Sequence, residues 1–131
     1  MAPMKRRPKL PTRADAFEIV RTVGLALPGV EAARRYDGSP VLKRGGAFMA
    51  ALDMHPSAEP GTLVVRSDIC ERECLIEDAP DTYYMTDYYR RYPLVLARLS
   101  RLDADALRDL LSVSWRLTAG KIRRPGRTRW G

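Results

Sequence analysis

The chain has little of the chemistry on which enzymes and metal sites depend. Its 131 residues include one histidine, His55, and two cysteines, Cys70 and Cys74. It has no glycine-rich phosphate-binding loop, no zinc-binding motif, and no histidine paired with a nucleophile. We therefore expect a protein that is not an enzyme, with no catalytic residues, no cofactor and no metal ion.

The two cysteines are four residues apart on a predicted helix. A disulfide bond within one helix would be strained, because the two Cβ atoms lie side by side and do not converge. Structural zinc needs four ligands, and His55 belongs to a different segment. We expect two reduced, partly buried thiols at Cys70 and Cys74.

Long apolar runs are also missing. No stretch approaches the roughly 18 apolar residues of a membrane-spanning helix. The basic N-terminal segment is not followed by the apolar run of a secretory signal. With 45% hydrophobic and 30% charged residues, the composition is typical of one globular domain, which we expect to be cytoplasmic and monomeric.

The charge is unevenly distributed along the chain. Of the 23 basic residues, four lie in residues 1–11 and five in residues 120–131, and neither segment contains an acidic residue. The remaining 14 basic residues face all 16 acidic residues within 12–119, so the predicted folded domain is slightly acidic between a basic arm and a basic tail. Attraction to DNA or another polyanion would then depend mainly on the two ends. The candidate phosphate contacts in the ends are Lys5, Arg6, Arg7, Lys121, Arg123 and Arg124. A solubilising role for the same residues is the alternative.

Three helices are predicted. The first covers about residues 13–27, with Thr12 as its N-cap, and the second covers 68–78, with Ser67 as its N-cap. The third begins after the N-cap Asp103. Its residues at helical spacing, which are expected to face the core, are Leu107, Leu110, Leu111, Ser114, Trp115 and Thr118.

Strands are predicted between the helices. The Gly45-Gly46 pair favours a tight hairpin turn because its residues adopt positive φ angles readily. Leu94–Ala97 is apolar on both alternating faces, which predicts a central strand that is buried on both sides. The other strands are expected at 33–36, 41–44, 47–52 and 62–66. This order predicts an α+β fold, with a mainly antiparallel sheet and helices packed on one face.

Several segments, in the right order, resemble the MmcQ/YjbR-like family. They are Leu27–Glu31, Pro40–Leu52, Ala79–Thr86, Tyr88, Tyr92–Leu99 and the helix Asp105–Leu117 with Trp115. The resemblance implies a fold similar to that of the frataxin-like CyaY proteins, and a DNA-binding role attributed to hairpin wings. The chain departs from the family pattern at Asp87, where many members have histidine, and at Gly46, where many have lysine.

Lys43 and Arg44 are the first candidate site within the folded domain. Two basic residues near a hairpin tip could contact phosphates, which positions a protein on DNA without reading its sequence. A solvated hairpin end is the alternative interpretation of the same pattern.

The tyrosine-rich stretch 81–99 is the second candidate site. Arg90 and Arg91 could contact phosphates beside the tyrosines. Alternatively, Tyr84, Tyr88, Arg90 and Tyr92 could line a cleft for a small molecule or a partner protein, with no nucleic-acid role for the core. A third interpretation is structural, with the tyrosines packed at the edge of the core. His55 is expected to be exposed and has no predicted role.

Overall fold

The structure is a computed structural model that describes residues 13–52 and 55–118. The helices are α1 (Arg13–Leu25), α2 (Ile69–Asp78) and α3 (Ala104–Thr118), and a short 3-10 turn covers Leu99–Arg101. The strands are β1 (Val30–Arg34), β2 (Pro40–Arg44), β3 (Ala47–Leu52), β4 (Thr62–Arg66), β5 (Tyr83–Tyr84) and β6 (Leu94–Arg98). The predicted α+β class is confirmed.

The six strands form one sheet in the order β1-β2-β3-β4-β6-β5, and all neighbouring strands are antiparallel. Strands β4 and β5 are both antiparallel to β6, so α2 connects two parallel strands. As predicted, Leu94–Ala97 is buried throughout. The prediction of a central position was wrong, because β6 is second from the edge and the two-residue strand β5 lies outside it.

One face of the sheet is covered by helices. The N-cap Asp103 accepts a hydrogen bond from the Ala106 amide at 2.8 Å, as predicted for the start of α3. The predicted stripe of α3 is buried except for Trp115, which is partly exposed. The buried side chains of this helix-covered face are Phe17, Val20, Leu42, Met49, Ala50, Leu52, Leu63, Val65, Tyr83, Val95, Ala97, Leu107, Leu110 and Leu111.

The other face is covered by two short segments, the loop 55–60 and the turn 85–92. A hydrophobic cluster on this face contains the buried residues Ala58, Val64, Tyr89, Leu94 and Leu96. Phe48, Tyr84 and Met85 are partly buried against them. The cluster on this loop-covered face is much smaller than the one on the helix-covered face.

A β-bulge in β3 is held by side chains from both faces. The register shifts at this point, and Met49 is left without a partner on β2. The Met49 carbonyl accepts a hydrogen bond from Ser114 Oγ at 3.1 Å, and the Phe48 carbonyl accepts one from Arg66 Nε at 2.7 Å. These bonds satisfy main-chain acceptors at the irregular stretch of the strand pairing.

The predicted hairpin is confirmed, because Gly45 and Gly46 have φ angles of 58° and 83° and join β2 to β3. Strand β1 lies earlier than predicted, at Val30–Arg34 instead of 33–36. The reason is the turn that follows β1. In this turn the Arg35 amide donates to the Ser39 carbonyl at 2.8 Å, so Arg35 and Tyr36 belong to the turn and not to the strand.

Two predictions about α2 were wrong. Its N-cap is Asp68, whose Oδ1 accepts a hydrogen bond from the Glu71 amide at 2.7 Å, whereas Ser67 is buried one residue earlier. Cys70 and Cys74 are free thiols but are exposed and not partly buried. The helix packs through Leu75 and Ile76 instead, which turns the cysteines toward solvent.

Candidate ligand-binding surface

Lys43 and Arg44 do not act as a pair. They are consecutive on β2, so their side chains point to opposite faces of the sheet. The Arg44 guanidinium lies 4.0 Å from the centroid of the Trp115 ring, and its Nη1 donates to the Trp115 carbonyl at 2.8 Å. Arg44 therefore ties the hairpin to the end of α3. Lys43 is half-buried beside its cross-strand partner Phe48.

Arg98 is also engaged within the fold. Its Nε and Nη2 donate to the two carboxylate oxygens of Glu59 at 3.0 and 2.8 Å. This pairing holds the pKa of Glu59 below its ordinary value. The same guanidinium lies 4.3 Å from the centroid of the Tyr84 ring.

Tyr84 has a structural role at the edge of the sheet. Its hydroxyl accepts a hydrogen bond from the Glu59 amide at 2.8 Å and shares another with Thr62 Oγ1 at 2.6 Å. Its ring packs against the loop-covered face. The interpretation of this tyrosine as a packed residue with a bonded hydroxyl therefore describes it well.

The three tyrosines of the turn 85–92, which are Tyr88, Tyr89 and Tyr92, form an aromatic cluster with His55. The rings of His55 and Tyr88 are stacked, with centroids 3.5 Å apart and an interplanar angle of 7°. Tyr88 meets Tyr89 edge-on at 5.0 Å and Tyr92 at 5.9 Å with a 50° tilt. Tyr89 is buried, whereas Tyr88 and Tyr92 are 39% and 38% exposed. The cluster is therefore attached to the core through Tyr89, whereas Tyr88 and Tyr92 are open to solvent.

Two exposed cations lie within the same turn. Arg91 Cζ is 5.9 Å from the centroid of the Tyr92 ring. Arg90 Nε is 3.9 Å from Asp87 Oδ1, in an exposed ion pair of a kind that contributes little to stability. We call His55, Tyr88, Arg90, Arg91 and Tyr92 the tyrosine–arginine patch.

Hydrogen bonds connect the two segments that carry the patch. The Thr86 carbonyl accepts from the amides of Tyr89 and Arg90 at 3.1 and 3.0 Å, which closes the turn. Thr86 Oγ1 is 2.9 Å from Ser57 Oγ in the facing loop. The Ser57 amide donates to His55 Nδ1 at 3.1 Å, which orients the imidazole ring against Tyr88.

Arg72 of α2 supports the turn from inside the protein. Its side chain is buried, and Nη1 donates to the carbonyls of Tyr92 and Leu94 at 2.9 and 3.2 Å. Its Nη2 donates to the Arg90 carbonyl at 3.3 Å. One guanidinium therefore holds the main chain of the patch to α2 and β6.

The structure thus brings together four of the predicted site residues, namely Tyr88, Arg90, Arg91 and Tyr92. It places Tyr84, Lys43 and Arg44 in other surroundings. A groove of about 400 Å³ lies elsewhere, between α1 and the β1–β2 hairpin, and the tyrosines do not line it. The remaining predicted residues lie outside the described residues, and they are Lys5, Arg6, Arg7, Lys121, Arg123, Arg124 and the predicted cap Thr12.

Sequence reasoning missed His55 and Tyr89 as parts of this surface. His55 is the chain's one histidine, and nothing near it in the sequence indicates a stacking partner. Tyr89 carries a weak signal, because it belongs to a tyrosine pair in which one member can be buried while the other is exposed.

Comparison with known proteins finds uncharacterised relatives that match part of the chain. No family model matches the chain. It is 34% identical over 55 residues to "Uncharacterized protein Rv2570" of Mycobacterium tuberculosis and, equally, to "Uncharacterized protein Mb2600" of Mycobacterium bovis. Each match covers 42% of the chain, and the chain spans only 43% of the length of these relatives.

A solved structure resembles most of this chain. It is the Deinococcus radiodurans protein DR2400, a DUF419 domain, with a TM-score of 0.65 and 22% identity over 84% of this chain and 83% of that one. DUF419 is in the YjbR/MmcQ-like family, the family that the sequence resembles, and the likeness shows a shared fold. Among the described residues, no helix is both long enough and apolar enough to span a membrane.

Proposed function

We propose that the chain is a non-enzymatic DNA-binding protein of the MmcQ/YjbR type that makes phosphate contacts and reads few bases. The observation that carries this proposal is the contrast among its arginines. Arg44, Arg66, Arg72 and Arg98 are bonded within the fold. Arg90 and Arg91 face solvent beside exposed tyrosines.

The basic ends supply most of the electrostatic attraction in this proposal. They hold nine basic residues and no acidic residue, whereas residues 12–119 hold slightly more acidic than basic residues. Engaging about five to eight phosphates gives a slope of roughly −4 to −7 in a plot of log affinity against log salt. The folded domain adds Arg90, Arg91 and, on β2, Lys43, whereas Arg44 is already bonded to Trp115.

The test measures binding of labelled duplex DNA by the full-length chain over a range of salt concentrations. One variant replaces the six basic residues Lys5, Arg6, Arg7, Lys121, Arg123 and Arg124 by glutamine. We expect this variant to bind more weakly with a flatter salt slope. A second variant, R90Q/R91Q, should reduce the salt slope by a smaller amount, which corresponds to the loss of about two phosphate contacts.

Arg101 and Arg116 provide the matched control, because both are exposed and lie outside the patch. The R101Q/R116Q variant carries the same charge change as R90Q/R91Q and should bind DNA almost as well as the unchanged chain. Absence of duplex binding by the unchanged chain at low salt would rule out the proposed function.

A second candidate function is favoured by the exposed aromatic rings on a slightly acidic body. In this alternative the patch binds a small molecule or a partner protein, and the core has no nucleic-acid role. A thermal-shift screen with metabolites and nucleotides tests it. The alternative is supported if a ligand raises the melting temperature of the unchanged chain but not that of the Tyr92→Ala variant, and if the unchanged chain shows no DNA binding.

A further inference from the structure

We propose that the tyrosine–arginine patch binds single-stranded nucleic acid, with bases stacked on Tyr88 and Tyr92 and phosphates held by Arg90 and Arg91. This inference rests on the proposed function and adds to it the form of the nucleic acid and the residues that select it. The selection depends on the aromatic rings, because cations alone attract single strands and duplexes alike.

The exposure of the two rings matches an unpaired strand. Tyr88 and Tyr92 each leave more than a third of their surface open to solvent. In a duplex the base faces are covered by neighbouring base pairs, whereas a single strand can place its bases on aromatic side chains. Such stacking tolerates any base, which agrees with a protein that reads little sequence.

The rings are also held in place before a ligand arrives. The stacked His55 ring lies 3.5 Å from Tyr88, and the buried Tyr89 meets the same ring edge-on. Arg72 fixes the main chain on either side through the carbonyls of Arg90 and Tyr92. Binding therefore immobilises few additional side chains, which lowers its entropic cost.

The charges around the rings are suited to weak phosphate contacts. Arg91 adjoins Tyr92, and Arg90 forms a long, exposed ion pair with Asp87. A phosphate can replace such a pair at small cost because its members remain solvated. The fully exposed Asp87 carboxylate opposes phosphate binding in the same turn, so stacking must supply a substantial share of the affinity.

The experiment compares a labelled strand of about 20 thymidines with a duplex of equal length, using the full-length chain at one salt concentration. Tyr88→Ala and Tyr92→Ala should each weaken single-strand binding about five- to a hundredfold. Duplex binding should change less than about twofold, because the phosphate-contacting cations are kept. The phenylalanine variants at the same positions keep the stacking surface and should bind the single strand almost normally.

Tyr36→Ala is the matched control. Tyr36 is 95% exposed and lies beside Arg35, with the guanidinium 5.5 Å from its ring centroid, but it belongs to the β1–β2 turn outside the patch. This variant should bind both probes like the unchanged chain. A loss of single-strand binding equal to that of the patch variants would overturn the assignment of the site.

The remaining outcomes separate the inference from the proposed function. Equal single-strand affinity in the unchanged chain and both alanine variants, with duplex binding retained, overturns the inference and leaves DNA binding intact. Failure of the unchanged chain to bind either probe overturns both. If one alanine variant unfolds, the other alanine variant and His55→Leu, which removes the stacked partner of Tyr88, decide the question: a lowered ratio of single-strand to duplex affinity supports the inference, and an unchanged ratio overturns it.

Discussion

The two faces of the sheet are built in different ways. The helix-covered face is closed by α1 and α3, and it buries most of the large apolar side chains of the described chain. The loop-covered face is closed by two short segments that are held by polar bonds, with Ser57–Thr86 joining them to each other and Glu59–Tyr84 joining the loop to β5. One face therefore depends mainly on apolar burial, and the other combines a smaller apolar cluster with a few specific hydrogen bonds.

This difference separates stability from binding within one small domain. Apolar burial under helices leaves few aromatic rings at the surface. Short segments bonded through polar groups can instead present rings and cations to solvent from a fixed main chain. The tyrosine–arginine patch lies on such a segment, so changes in its exposed side chains should cost little stability.

The largest expected effect belongs to the helix-covered face. Leu111→Ala removes a side chain with no exposed surface and should lower the free energy of unfolding by about 2–5 kcal/mol. Tyr92→Ala, on the patch, should lower it by less than about 1 kcal/mol. Urea unfolding measures both. Equal losses would contradict the division between the two faces.

Arg72 links the two faces, and its substitution should cause the second largest loss of stability. Arg72→Met leaves the carbonyls of Arg90, Tyr92 and Leu94 without their buried donor, and should cost about 2–3 kcal/mol. The amides of the turn 86–92 should also exchange faster with deuterium. The exposed Arg101→Met variant is the control and should stay within about 0.5 kcal/mol of the unchanged chain. Unaltered exchange in the turn would show that Arg72 does not hold it.

Removing the hydrogen bond from Ser114 to the bulge should have a smaller effect on stability. Ser114→Ala removes the donor to the Met49 carbonyl and should cost about 1 kcal/mol in thermal or urea unfolding. Ser112, partly exposed on the same helix, provides the matched control in Ser112→Ala. Indistinguishable stabilities of the two variants would mean that the buried bond contributes nothing net.

The Arg98–Glu59 pair should have the smallest effect and the clearest pH dependence. The pKa of Glu59 is lowered in the folded chain, so its stabilising contribution is present above the pKa of the unfolded chain and is lost as the pH falls through the folded value. The stability difference between the unchanged chain and Glu59→Gln should therefore shrink below about pH 4. A difference that grows on acidification has the wrong sign for this pair.

The sequence predicted those parts of the fold that are encoded locally. Asp103 caps α3, the Gly45-Gly46 pair forms the hairpin turn, and Thr62–Arg66 is a strand as expected. Each depends on the conformational preference or periodicity of adjacent residues. The boundaries of β1 were missed because they depend on pairing with β2 across the hairpin.

The patch was predicted only in part, because it depends on contacts between distant segments. Tyr88, Arg90 and Tyr92 lie within five residues of one another in the sequence, and their grouping could be anticipated. The stacking of His55 on Tyr88 and the bonds from Arg72 to the turn join residues far apart in the chain. Likewise, no local pattern showed that Arg44 would pack on Trp115.

The most direct measurement follows the amide NMR signals of the full-length chain as a thymidine single strand is added. If the patch binds the strand, the largest shifts should include His55 and residues 88–92, with little change in the β1–β2 turn around Tyr36. Shifts confined to residues 1–11 and 120–131 would contradict a ligand-binding surface on the folded domain.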